Sequence, residues 1–214
     1  MDFEQRLHAV SQTMIPRAAN SGYPGLVVFY LRHPPLVLNE DGSPIRPPIP
    51  HPGLLDVARK LGTLADCIVI TSNGAHIFQR DIEEASGLPV VSMVEAVLEE
   101  VRRRGWRRSG AIGMGPPLVY MEPLRSMGLG AEQLDGEQIA TLDRALLDVM
   151  AGLAPPESVA LARDAVETLR ARDVDGVILG CTELPLLLGP EGEAPDLINP
   201  AQLLAKAAVR FALE

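Results

Sequence analysis

The sequence predicts an α/β fold in which parallel sheets are flanked by helices, laid out as two comparable halves. Three observations predict it. Short apolar runs rich in β-branched residues recur along the 214-residue chain. Each lies beside a stretch whose apolar residues repeat at helical spacing. The strand–helix series breaks near Arg104 to Arg108 and then begins again. Strands that alternate with helices need crossover connections, which give parallel sheets covered on both faces.

Leu26 to Leu31 reads as a buried strand, Cys67 to Thr71 as a second and Val90-Val91 as a short third. Ser109 to Gly113 is a fourth, Val174 to Leu179 a fifth and Leu197-Ile198 a short sixth. Their length and β-branched content favour strand over helix. Met93, Val94, Val97, Leu98 and Val101 share one helical face. So do Ile139, Leu142, Leu146 and Val149, and again Val159, Ala162, Val166 and Leu169, with Pro155-Pro156 separating these two helices. The expected domains are 1–104 and 105–199, with a final helix within 200–214 packing back on the first. Residues 34–52 hold seven prolines. Such a stiff loop reads equally as a binding loop or lid and as a solvated connector.

Composition narrows the function classes. Hydrophobic residues make up 47% of the chain and aromatics only 4%, so the core is aliphatic. The net charge of −9 argues against nucleic acid as a partner. Arg102, Arg103 and Arg104, with Arg107 and Arg108, instead read as a helix C-terminus, where cations suit the dipole. No apolar run approaches the roughly 18 residues of a membrane span, and Met-Asp-Phe-Glu-Gln-Arg lacks the character of a signal peptide. Two cysteines, Cys67 and Cys181, do not make a disulfide framework. The expected location is the cytoplasm, with no membrane partner.

Two strand ends carry candidate chemistry. The first reads Ser72-Asn73-Gly74-Ala75-His76 and the second Gly180-Cys181-Thr182-Glu183-Leu184-Pro185. Ligands of parallel α/β sheets bind beyond the carboxyl ends of strands. Backbone N–H groups and a helix N-terminus there suit a carboxylate and would also favour the thiolate of Cys181. Cys67 sits inside a strand and reads as a small buried hydrophobe. Each segment taken alone has a plainer reading: a structural cysteine, an ordinary turn at Ser72-Asn73-Gly74, a packed His76. Their matched positions in two halves favour the functional one.

The segment 180–187 resembles the second active-site motif of the aspartate/glutamate racemase superfamily. Residues 72–76 resemble its first motif, usually Cys-Asn-Thr-Ala-His, and Leu88 to Ala96 is similar to the segment that follows. The resemblance extends over nearly the whole chain. It implies two pseudo-symmetric α/β domains with the active site in the interdomain cleft, no metal, no cofactor, and a homodimer. It also implies a cofactor-independent racemase or isomerase acting at the Cα of a small carboxylate or amino acid. One thiol removes the α-proton and the other returns a proton to the opposite face. Cys181 and Ser72 would hold the two catalytic positions. Asn73, Gly74, Ala75 and Thr182 would bind substrate, and Glu183 and His76 would orient groups or assist proton transfer.

The chain departs from that pattern in three places. Ser72 stands where the first thiol is expected, and a serine hydroxyl is a poor carbon base without an activating partner. Gly74 replaces a hydroxyl-bearing threonine. Asp2 to Leu7 already reads like the helix that follows the family's first strand and its glycine-rich loop, so either the native start lies upstream of Met1 or that strand and loop are lost. Gly113-Met114-Gly115-Pro116-Pro117 stands where a Gly-Thr pattern is usual, and Arg32, after the first run, reads as a surface cation or as a partner for a substrate carboxylate. With one thiol, proton exchange should be one-sided. Two alternatives follow: a catalytically inactive family member that binds a ligand or partner, and a one-cysteine decarboxylase of the arylmalonate type.

Overall fold

The computed structural model describes residues 2–15 and 23–214. The chain forms two compact units: Met1–Ile70 with Ala75–Ser92 and Leu204–Glu214, and Thr71–Gly74 with Met93–Leu203.

In the first unit, helix α1 (Asp2–Met14) opens with two acidic residues, and Asp2 pairs with Arg6 at 2.8 Å. Helix α2 (Pro52–Leu61) starts on His51, whose Nδ1 accepts the Gly53 N–H at 3.0 Å, with proline at the first turn where no N–H is needed. Strand β1 (Ile68–Val69) pairs in parallel with β2 (Val90–Val91), and helix α3 (Gln79–Ser86) connects them, closing on Gly87 at φ 70°. Ile68, Ile70, Phe78, Ile82 and Val90 form the core around this small sheet. A second cluster joins Leu7 and Val10 of α1 to Ala205 and Val209 near the chain's end.

The expected strand at residues 26–31 is not formed. The segment has no regular secondary structure and joins no ladder among the described residues, and residues 26–30 are 41–58% exposed. Its side chains satisfy a strand pattern locally, but a strand exists only where a neighbour supplies its hydrogen bonds. Cys67 also differs from expectation. It lies one residue before β1, is half-buried, and lines an apolar cavity of about 130 Å³ with Leu7, Leu26 and Val27. The ladder at Cys67 to Thr71 is shorter than the apolar run because β2 offers only two residues.

The second unit holds a four-stranded parallel sheet, order β4-β3-β5-β6. Its strands are β3 (Arg108–Ile112), β4 (Gly130–Glu132), β5 (Gly176–Leu179) and β6 (Leu197–Ile198). Helices α4 (Met93–Arg104), α5 (Leu118–Ser126), α6 (Gly136–Met150), α7 (Pro156–Arg170) and α8 (Leu184–Leu188) surround it, and α9 (Pro200–Phe211) follows β6. Alternation along the strands sorts the core into two layers. Ile112, Val177, Leu179 and Leu197 pack with α6, α7 and α8. Ala111, Ile178 and Ile198 pack with α4 and α5. Of the predicted arginine cluster, Arg102, Arg103 and Arg104 form the last turn of α4, whereas Arg107 lies in the connection and Arg108 opens β3. Strand β4 escaped prediction because Gly-Ala-Glu has no apolar run; it is an edge strand recruited by β3.

Candidate active site

Cys181 lies immediately beyond β5, and the approach to it demands glycine. A Cβ on Gly180 would sit 2.8 Å from the Ile112 carbonyl oxygen and 3.2 Å from the Tyr120 ring. The Gly180 N–H donates to that same carbonyl at 2.6 Å. β5 and β3 therefore stay in contact past the end of their ladder. Gly113 makes a similar close approach, 3.0 Å from a built Cβ to the Gly180 oxygen.

The Cys181 side chain is 8% exposed. Its Sγ donates to Glu183 Oε2 at 2.9 Å, and the Thr182 hydroxyl donates to the same oxygen, also at 2.9 Å. Backbone N–H groups of Glu183 and Met114 face the sulfur. Burial pushes the thiol well above its ordinary range, and the Glu183 charge and hydrogen bond push it further, against the opposing effect of the two N–H groups. The expected thiolate is thus a neutral thiol. Helix α8 has only five residues and a weak dipole, and a carboxylate at 2.9 Å outweighs it.

The loop at residues 113–117 borders Cys181 through the Met114 N–H. Gly115 adopts φ 63°, and its N–H donates to Asp143 Oδ1 of α6 at 2.8 Å. That anchor holds the neighbouring Met114 N–H toward Cys181. The loop leads into α5, where Tyr120 is fully buried. The Tyr120 hydroxyl donates to Asn73 Oδ1, and Asn73 is itself 4% exposed. Burial raises the Tyr120 phenol, so it stays a donor.

The structure therefore groups Cys181, Thr182 and Glu183 around one carboxylate oxygen, and it ties Asn73 to the same unit through Tyr120. Ser72 and Gly74 are exposed at the end of β1. Ala75 and His76 are buried in a short 3-10 turn, Gly74–Phe78, with Ala75 in the core of the first unit. Tyr120, Asp143 and the Met114 N–H were not foreseen. The signal for them was the glycine-rich loop after the fourth strand, whose importance depends on which strand lies beside it. Among the described residues no group of three or more His, Cys, Asp or Glu could hold a metal ion. No described helix is long and apolar enough to cross a membrane.

Residues 9–208 match the Asp/Glu/Hydantoin racemase family. The broad specificity amino-acid racemase RacX of Bacillus subtilis is 24% identical over 163 residues, 73% of this chain and 69% of that protein. The glutamate racemase of Mycobacterium tuberculosis is 32% identical over 162 residues, 72% of this chain but only 59% of its own length. The crystal structure of an aspartate racemase homologue from Pyrococcus horikoshii aligns with a TM-score of 0.73 at 22% identity, covering 99% of this chain and 92% of that one. At that identity the likeness speaks for the fold.

Proposed function

Because the chain belongs to the Asp/Glu/Hydantoin racemase family, we propose that it moves a proton at the Cα of a small amino acid or related carboxylate, with Cys181 as the acid/base and no organic cofactor. One observation carries this reading: the Cys181 thiol donates to Glu183 Oε2 at 2.9 Å while two backbone N–H groups face its sulfur. Glu183 accepts a hydrogen bond from the thiol, and the two N–H groups hold the thiolate once its proton has passed to solvent. When the Cα–H bond breaks, its electron pair passes into the carboxylate as an enolate and the proton forms the new S–H bond. Asn73 and the N–H of Gly74 bind the carboxylate and stabilise the added charge.

Ser72 takes the opposite position and makes the reaction one-sided. Incubation in heavy water with both enantiomers of aspartate, glutamate and other amino acids tests this, with proton NMR following the Cα signal. Exchange should start from one enantiomer and vanish in Cys181→Ala. No exchange from any amino acid would remove the racemase reading.

The neutral Cys181 thiol, with a serine at position 72 where the family pattern has a second thiol, favours a second reading. A decarboxylase needs only one proton donor: the C–C bond breaks, carbon dioxide leaves, and Cys181 protonates the enolate. Carbon dioxide release from a disubstituted malonate, without exchange on amino acids, would select it.

A further inference from the structure

We infer that Tyr120 is a positioning residue for the substrate carboxylate: its hydroxyl fixes the Asn73 amide so that the Nδ2 hydrogens are presented to the ligand. The inference rests on the reading of Asn73 as a carboxylate donor.

An asparagine amide offers one acceptor and two donors on opposite arms. Left free, it can present either arm. Here the acceptor arm is taken, because the Tyr120 hydroxyl donates to Oδ1. The donor arm is thereby turned away from Tyr120. The tyrosine is itself held rigidly. It is fully buried in the layer of Met121, Leu124, Ile178 and Ile198, and its ring lies against Gly180. One side chain thus touches both chemical segments: the first motif through its hydroxyl and the residue before Cys181 through its ring.

These two contacts separate cleanly by mutation. Tyr120→Phe keeps the ring against Gly180 and removes only the hydroxyl. A larger side chain at Gly180 would push the whole ring, hydroxyl included, so Tyr120→Phe is the substitution that isolates the hydroxyl. The Asn73 segment, Thr71–Gly74, clusters with the second unit and not with β1, which immediately precedes it. The Tyr120–Asn73 hydrogen bond is a named contact that holds it there.

The test is a double-mutant cycle on binding and exchange, in the full chain, with L-aspartate, L-glutamate and malonate as probes. NMR titration should give a dissociation constant about five- to tenfold weaker in Tyr120→Phe, the loss of one well-oriented hydrogen bond. In the heavy-water assay the change should fall on KM, with kcat little altered. Tyr120→Phe should add nothing in an Asn73→Ala background, because the hydroxyl acts only through that amide. The Asn73 side-chain amide signals, assigned by their loss in Asn73→Ala, should shift in Tyr120→Phe.

Full additivity of the two substitutions, or unchanged Asn73 amide signals in Tyr120→Phe, would overturn the inference. So would the failure of the wild-type protein to bind any of the three probes. Binding that follows the predicted cycle without Cα exchange would support the positioning role while removing the racemase reading, so the two failures remain distinct.

Discussion

Glu183 lies two residues from Cys181, and its carboxylate governs what the thiol does. Burial and the Glu183 charge hold the native thiol above its unfolded range. The native state therefore keeps a proton that the unfolded chain loses above about pH 8.5. By linkage, stability is full below that pH and falls by about 1.4 kcal/mol per pH unit above it. Glu183→Gln removes the charge and lowers the folded value, so the alkaline loss should end at a lower pH and be smaller in total. Alkylation of Cys181 at pH 8, in a Cys67→Ser background, should also become faster. An unchanged alkylation rate would show that Glu183 does not control the thiol. Gly180→Ala brings a Cβ within 2.8 Å of a backbone oxygen that cannot swing aside. It should cost about 1–3 kcal/mol in thermal unfolding, the usual range for overpacking, and lower any Cys181-dependent exchange. At this scale the sequence was legible where chemistry is local. Gly180, Cys181, Thr182 and Glu183 stand together in the chain and in space. Tyr120 and Asp143 were illegible because their partners, Asn73 and Gly115, are 47 and 28 residues away. The charge state of Cys181 was misread because a helix dipole was weighed without the acidic neighbour.

Helix ends are where single residues decide the elements. Asp135 caps α6 in a capping box: its carboxylate accepts the Gln138 N–H at 2.9 Å, and the Gln138 side chain accepts the Asp135 N–H at 3.2 Å. Asp135→Ala should cost about 1 kcal/mol in denaturant unfolding. Because Asp143 of α6 holds the Gly115 loop, the same substitution should also loosen the Met114 N–H near Cys181. Near the C-terminal end of α4, Arg103 and then Arg104 hold Glu100 down to about 2. Its folded value lies below the unfolded one, so its contribution is present above about pH 4.5 and is lost as pH falls toward about 2. The pair is partly exposed, so Glu100→Gln should remove only about 0.5–1 kcal/mol, and acid titration of the variant should be flatter in that window. Elements with strong periodicity, such as α4, α6 and α7, were plain in the sequence. The run at residues 26–31 misled because its β pattern needs a partner that the described residues do not supply. Strand β4 was hidden for the opposite reason: β3 recruits it despite a sequence with no strand character of its own.

The two units differ in how much structure protects their backbones. The second has four hydrogen-bonded parallel strands whose two faces are both covered, with Ile112, Ile178 and Leu179 almost fully buried. Among the described residues, the first has a single pair of two-residue strands and two small clusters. Two-stranded pairs are marginal without extensive packing, and regions with fewer buried contacts open at lower free energy. Amide exchange followed by mass spectrometry should therefore find β3 and β5 protected longest. Peptides covering Ile68–Val69 and Val90–Val91 should exchange earlier, and residues 26–31 earliest of these. The order matters for chemistry. Cys181, Glu183 and the Met114 loop are anchored on the slow-exchanging sheet, whereas Ser72 and Asn73 follow directly from the weaker β1. If the Tyr120 hydroxyl is what holds Asn73 to the second unit, Tyr120→Phe should speed exchange at residues 71–76 and leave β3 and β5 unchanged. Equal protection of both sheets would contradict this division, and uniform acceleration throughout the variant would mean that the hydroxyl acts on global stability instead of on Asn73.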